Sequence, residues 1–437
     1  MRLARHEGAP VAIASSCVFA ARFVPMKKVW TMEPLAALRN SPNIDTRSQP
    51  ARRPGVVLLA LSVGSFAIGT TEFATMSLLP YFSKDLHIDP ATAGHVISAY
   101  ALGVVVGAPA IAVLAARLSR KLLLIGLMLI FGIANGLSAL APDYHWMLVF
   151  RFLSGLPHGA YFGVASLLGA SLVPPDKRAS AVARIMLGLT IATVIGVPAA
   201  NWMGQVAGWR TGFALVAALA ALTMLLVWIF APKDEPHPDA SPWRELGALK
   251  KGQVWLTLGI GAIGFGGIFA VYTYVASTLL TVTHVQAGYV PIILCIFGLG
   301  MTAGTLICGW AADKAQMPSI GITLLASAFS LGLYTLAVHN IWAIGVVVFC
   351  IGCSGGLGIM LQTRLMDVAG DAQTLAAALN HSAFNFANAL GPFLAGLVIA
   401  HGYGFASTGL VGVGLALGGF LVWLIALADD ERRRRKA

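Results

Sequence analysis

The chain has 437 residues, of which 57% are hydrophobic and only 11% charged, and its mean hydropathy is +0.79. A water-soluble protein covers its surface with about 25% charged residues, so the two or three soluble domains that the length would allow are excluded. The formal charge of +11 would suggest nucleic acid in a soluble protein, but in a membrane protein its placement decides its meaning.

Residues 1–54 carry nine basic residues and one apolar stretch, residues 9–21, too short to span a bilayer. Arg2, Arg5 and the small pair Ala20-Ala21 give that stretch some features of a secretory signal. Cleavage would strand Lys27, Lys28, Arg52 and Arg53 on the outer side, so the segment reads as a disordered cytoplasmic extension, with Met26 or Met32 as alternative starts. Twelve apolar spans follow, at 56–80, 92–115, 122–141, 147–172, 180–202, 211–231, 254–280, 287–312, 319–338, 340–363, 375–400 and 404–428. Each has about the 20 residues a helix needs to cross a ~30 Å hydrocarbon core. The expected fold is an all-α membrane protein of twelve transmembrane helices.

Charge and proline concentrate at 232–253, a cytoplasmic linker between a half at 55–231 and a half at 254–428; a basic tail, 429–437, closes the chain. The halves repeat each other. Gly103 and Gly107 recur as Gly300 and Gly304, and Gly155 and Gly159 as Gly352 and Gly356, always at an offset of 197. Two parallel six-span halves are a transporter architecture, with the substrate near the midplane between them. With the N-terminus inside, 17 basic residues of the later loops and tail face the cytoplasm, against only Lys84 and Arg210 outside. The basicity is therefore positive-inside topology, with both termini cytoplasmic, and nucleic acid is not an expected partner.

Full charges away from span ends are confined to Glu72 and Arg151. Each costs several kcal/mol unless paired or hydrated, so a structural ion pair competes with a proton or substrate site. Glu72 lies about 24 Å from the inner end of span 1 and Arg151 about 6 Å below the outer end of span 4, both in the outer half of the bilayer. His158, near mid-depth, and His381, Asn385 and Asn388, with Asn380, on span 11 are candidates for the substrate cavity together with Tyr272; helix-helix hydrogen bonding is the alternative for each amide. His95 reads as interfacial. Gly196 with Pro198 and Gly391 with Pro392 mark kinks and close packing, and so candidate gates. Cys350-x-x-Cys353 lacks a nearby histidine or second cysteine pair and reads as small packing residues rather than a metal site. No strand precedes the glycines of residues 352–358, and no phosphate-binding loop is present, so no nucleotide cofactor is expected.

Arg151-Phe-Leu-Ser-Gly155-Leu-Pro-His-Gly159 resembles the span 4 motif of the major facilitator superfamily, and the loops 117–121 and Asp313-Lys314 resemble its cytoplasmic signatures. Gly69-Thr-Thr-Glu72-Phe73 with Pro80, Gly196-Val-Pro198 with Trp202 and Gly204, Gly208-Trp209-Arg210, and Asn380-His381 with Asn385 and Asn388 resemble the drug:proton antiporter family, in its branch of sugar, arabinose and nucleoside efflux permeases. The resemblance covers about residues 55–428. It implies a proton-coupled exporter of a small molecule in the bacterial inner membrane, monomeric in the lipid bilayer, with Arg117, Arg120, Asp313 and Lys314 at the cytoplasmic gate. The first loop has Ala116 and Ser119 where that family usually carries an aspartate and a glycine, which would leave the gate to Asp313 alone. Span 5 departs too, since Val197 separates glycine from proline, and this loosens the assignment of export. An importer of the same fold is the alternative. A membrane enzyme or sensor is the remoter one, because no nucleophile or acid-base cluster sits near a membrane face.

Overall fold

The protein is described here by a computed structural model covering residues 54–114, 118–174, 177–234, 250–369 and 373–435. The N-terminal extension, Ala116, Arg117 and most of the linker lie outside the described residues. Before the linker the helices are α1 (Pro54–Asp85), α2 (Pro90–Leu114), α3 (Arg120–Ala139), α4 (Tyr144–Gly155), α5 (His158–Ser171), α6 (Arg178–Ile191), α7 (Val197–Ala207) and α8 (Arg210–Phe230). After it come α9 (Gly252–Gly264), α10 (Gly266–Thr281), α11 (Val290–Ala337), α12 (Ile341–Cys353), α13 (Leu357–Ala369), α14 (Gln373–Ala400) and α15 (Thr408–Arg434).

Ten helical stretches among the described residues are long and apolar enough to cross a membrane. Two local features separate that number from the expected twelve. The fourth span is broken at Leu156-Pro157 into α4, of 12 residues, and α5, of 14, each too short to cross alone. Conversely, the 48 residues of α11 would reach about 72 Å as a straight helix, more than twice a hydrocarbon core. Non-helical Ala315 divides α11 where spans 8 and 9 were expected to part. The helices therefore fit twelve crossings.

Bilayer replaces water around such a bundle, so its outer wall is apolar: Leu122, Leu306 and Leu336 are exposed, while Thr71, Asn135, Ser154 and Asn388 are buried. Within the first half α1 packs on α6 and α8, and α3 on α8; within the second, α11 packs on α12 and α15, and α9 on α15. The repeat recurs at the contacts themselves. A Cβ at Gly103, Gly107 or Gly155 would strike the carbonyls of Phe152, Leu156 or Tyr100, and one at Gly300, Gly304 or Gly352 those of Phe349, Cys353 or Phe297. Both members of every contact shift by the same offset of 197. Small residues thus let α2 approach α4 and α11 approach α12 in the same register, the close packing that joins helices in lipid.

The halves meet through α2 with α14, α1 with α10, and α7 and the segment before it with α11. That segment, Ala192–Gly196, is a π-helical turn leading into Pro198. Proline has no N–H to return to the preceding turn, and the wider turn absorbs the mismatch. Gly298 of α11 packs against it, where a Cβ would lie 2.5 Å from the Thr193 carbonyl oxygen. Toward the end of the bundle that carries Asp85, Ser98 donates to the Ala389 carbonyl at 2.9 Å, and Gln205 Nε2 reaches across to the Ala287 carbonyl at 3.0 Å. At the opposite end, which carries Asp234, the polar contacts among described residues stay within one half, as Arg364–Asp430 at 3.0 Å and Lys251 Nζ to the Ala369 carbonyl at 2.8 Å illustrate. The halves are joined at the Asp85 end in this conformation.

Candidate functional site

Consecutive residues on a helix point about 100° apart, and α1 uses this to serve both halves. Thr71 faces inward to its own half. Its hydroxyl donates to Asn135 Oδ1 of α3 at 2.7 Å and accepts from Arg151 Nη1 of α4 at 3.0 Å. Glu72 faces the other half, where its Oε1 accepts from Asn388 Nδ2 of α14 at 3.2 Å. Glu72 and Arg151 therefore do not form the direct ion pair that the sequence left open, although Arg151 lies close enough to exert a Coulombic pull on Glu72.

Arg151 is 1% exposed and spread over several partners. Besides Thr71, Nη1 reaches Asn135 Oδ1 and Ser154 Oγ, each at 3.4 Å. The guanidinium carbon lies 4.3 Å from the centre of the Tyr100 ring and 5.4 Å from that of Phe213. Hydrogen bonds and aromatic faces offset the cost of burying the charge. From the same Tyr100 the polar track continues, because its hydroxyl lies 2.9 Å from His158 Nδ1. The His158 ring centre is 6.3 Å from that of His381 on α14, and His381 stacks on Phe162 at 5.2 Å. Glu72, Arg151, His158, His381 and Asn388 thus lie along one buried track that crosses between the halves.

Asn385 takes a more local role, with Nδ2 donating to the His381 carbonyl at 3.0 Å. The side-chain oxygens of Asn385 and Asn388 and the hydroxyl of Tyr272 are buried without a hydrogen-bond partner among the described residues. Each is free to bond a substrate or water. Tyr272 packs edge-on against Phe73 of α1 at 5.7 Å and lies 4.0 Å from Phe297. Aromatic faces and unused polar atoms on α1, α10 and α14 make a surface suited to a small molecule.

The second half does not repeat this chemistry. The offset that pairs the glycines carries Glu72, Tyr100, Arg151 and His158 onto Phe269, Phe297, Val348 and Gly355. Phe297 and Val348 line a small void with Val271, Tyr272, Val275 and Ile351. Apart from His381 on α14, the ionisable apparatus belongs to the first half, and the second contributes amides and aromatic surface.

At the Asp234 end the structure redirects the expected gate. Asp313 is exposed and makes no hydrogen bond or ion pair among the described residues, while Lys314 Nζ sits 3.8 Å above the Trp310 ring. The carboxylate that holds the first loop is Asp234, just after α8. It accepts from Ser119 Oγ at 2.9 Å and from the backbone N–H groups of Arg120 and Lys121 at 2.6 and 3.2 Å, satisfying the first turn of α3. Lys121 Nζ completes the clasp on the Ala231 carbonyl at 2.7 Å. Sequence reading missed Asp234; the available signal was a carboxylate immediately after an apolar span, opposite a basic loop lacking its usual acid. Of the kink residues, Gly196 faces Thr70 and Phe66 of α1, and Gly391 faces the Gly266 carbonyl at the start of α10. Pro392 offers its carbonyl to the Tyr274 hydroxyl at 3.1 Å. His95 bonds the Tyr144 hydroxyl at 2.9 Å. No group of three metal-ligating residues occurs among the described residues.

The family model of the Major Facilitator Superfamily matches residues 61–380. The inner membrane transport protein YdhP of Escherichia coli strain K12 is 38% identical over 86% of this chain and 97% of its own length. A chloramphenicol resistance protein of Streptomyces lividans is 32% identical over 79% of this chain and 89% of its own. Among solved structures, the nucleoside transporter NupG superposes with a TM-score of 0.69 at 15% identity, covering 85% of this chain and 99% of that one. At that identity the likeness concerns the fold.

Proposed function

Because the chain belongs to the major facilitator superfamily, and is thus a multi-pass secondary transporter rather than an enzyme, we propose that it exports a small molecule in exchange for protons, with Glu72 carrying the proton. One observation supports this above the others: a carboxyl buried in mid-span hydrogen-bonds across the two halves, from Glu72 to Asn388, beside the fixed positive charge of Arg151. Arginine stays charged throughout, whereas a glutamate whose hydration and neighbours change as the halves rock can bind a proton in one state and release it in the other. Seventeen basic residues fall in the loops and tail that the sequence assigns to the side of Asp234, against two on the other side, which supports a cytoplasmic location for that end and for both termini. This conformation is then inward-facing.

The substrate contacts Asn385, Tyr272 and the His158–His381 region, and the clasp at Asp234 with Arg120 governs the cytoplasmic end. Segments 55–231 and 254–428 move as the two halves, the chain works as a monomer, and the bacterial inner membrane is its location. The Streptomyces relative, a chloramphenicol resistance protein, supports export over import and extends the substrate range to drug-like compounds beside sugars and nucleosides. Export is tested by accumulation of a panel of sugars, nucleosides and hydrophobic antibiotics, including chloramphenicol, in cells with and without the gene, followed by uptake into inverted vesicles. An exporter lowers cellular accumulation and loads inverted vesicles on acidification of their lumen. Raised cellular accumulation together with no loading of inverted vesicles contradicts export.

A further inference from the structure

The carboxamide of Asn388 uses half of its capacity in this conformation. Nδ2 donates to Glu72 Oε1 at 3.2 Å, while Oδ1 is buried with no partner among the described residues, on a residue that is 0% exposed. An unused acceptor in a buried site is costly, and the group that this amide already bonds, Glu72, can supply the missing donor. A carboxylate only accepts, whereas a protonated carboxyl also donates. On binding a proton, one oxygen of Glu72 becomes an O–H that donates to Asn388 Oδ1, while the other still accepts from Nδ2. The amide presents its donor and acceptor side by side, so the pair suits the acid form in either orientation of the side chain.

We infer that Asn388 is the residue that reads the proton on Glu72 and transmits it to the second half, closing a two-bond acid–amide clamp between α1 and α14 when Glu72 is protonated and leaving a single bond when it is not. This rests on the proposed role of Glu72 and makes Asn388 a positioning residue rather than a substrate contact. The clamp spans the interface that is joined at the Asp85 end, so protonation holds that end shut and deprotonation loosens it. The charged and titratable groups near Glu72 from the packed helices are Tyr100 on α2 and Arg151 on α4; Tyr272 on α10 packs on the next residue, Phe73, and His158 on α5 and His381 on α14 lie farther along the track. The two histidines serve as controls.

Spin labels at Leu140→Cys and Tyr403→Cys, exposed at 76% and 74% on opposite halves, report the opening of the Asp85 end once the five native cysteines are replaced by serine. Distance distributions of the full chain in nanodiscs, without added substrate, give the ratio of closed to open molecules between about pH 5 and pH 9. The loss of one hydrogen bond corresponds to about a fivefold fall in that ratio, expected in the parent from acid to alkaline pH. Glu72→Gln keeps both bonds through its own amide and is expected to hold the parent's acid-pH ratio of closed to open molecules at every pH. Asn388→Leu is expected to shrink the response below about twofold, with Asn388→Ser as the second variant if the leucine protein does not reach the membrane. His158→Gln and His381→Gln are expected to keep the response. If Glu72→Gln abolishes the response while both Asn388 variants retain it in full, Glu72 stands and the clamp is overturned. If Glu72→Gln retains it, or a histidine variant loses it, the role of Glu72 fails and the clamp with it.

Discussion

Asp234→Ala tests whether the carboxylate found after α8, rather than the one expected at position 313, holds the first cytoplasmic-type loop. The substitution removes acceptors from three donors, Ser119 Oγ and the N–H groups of Arg120 and Lys121, and deletes a negative charge at the N-terminus of α3. Loss of an N-terminal cap costs about 0.5–2 kcal/mol, and loss of a charge complementing the helix dipole about 0.3–1 kcal/mol at a partly exposed site. These contributions overlap, so about 1–2 kcal/mol of local stability is at stake, a factor of about 5–30 in the population of the opened turn. Amide hydrogen exchange in a peptide covering Arg120 and Lys121 is expected to speed up by that factor, while peptides from the middle of α3 stay protected. The same peptide is expected to be unchanged in Asp313→Asn, since Asp313 touches no donor among the described residues. Unaltered exchange in Asp234→Ala, or an equal acceleration in Asp313→Asn, refutes the assignment.

Arg151→Lys keeps the charge, but an ammonium lacks the flat guanidinium face that lies over Tyr100 and Phe213, and a shorter side chain must reach the partners that Nη1 bonds, Thr71, Asn135 and Ser154. A loss of about 1–3 kcal/mol is expected, read as a lowered thermal midpoint in detergent together with slowed transport. Gly298→Val drives a side chain into the Thr193 carbonyl across the halves and is expected to depopulate the conformation closed at the Asp85 end, seen as a longer label distance there with the protein still abundant in the membrane. Asp89 caps α2, accepting from the Thr92 N–H at 3.0 Å, and the Thr92 hydroxyl is the main cause that holds its carboxyl below the usual range. Asp89→Ala is expected to cost about 1 kcal/mol. Because the folded-state value is lowered, that contribution is present above the ordinary carboxylate range and lost as pH falls through the lowered value. The gap between the two thermal midpoints should therefore be constant near neutrality and close in acid.

The membrane fold and the family resemblance were legible because the physics behind them is coarse. A crossing needs about 20 apolar residues wherever it lies, and glycines at a shared offset mark the same close approach in both halves, as Gly103 on Phe152 and Gly300 on Phe349 confirm. What was hidden depends on direction rather than position. Nothing in Thr71-Glu72 tells that the hydroxyl turns to Arg151 and the carboxyl to Asn388, 316 residues away, since that depends on how α1 is rotated between the halves. The break at Leu156-Pro157 had its signal in Pro157, but proline is tolerated inside membrane helices, so the span read as continuous. Asp313 drew attention through the loop repeat, but a repeat in sequence does not supply a donor, and the basic loop found its carboxylate in Asp234.

Proton coupling through Glu72 is tested most directly in proteoliposomes, with the panel compound that the protein exports most strongly. A proton falling through the whole field releases about 2.3 kcal/mol per 100 mV, which can drive accumulation of that compound. Purified protein is expected to concentrate it against its gradient and to move protons when it is added, whereas Glu72→Gln loses both and still exchanges labelled for unlabelled compound at equal concentrations. A Glu72→Gln protein that still concentrates the compound and still moves protons on its addition contradicts the account.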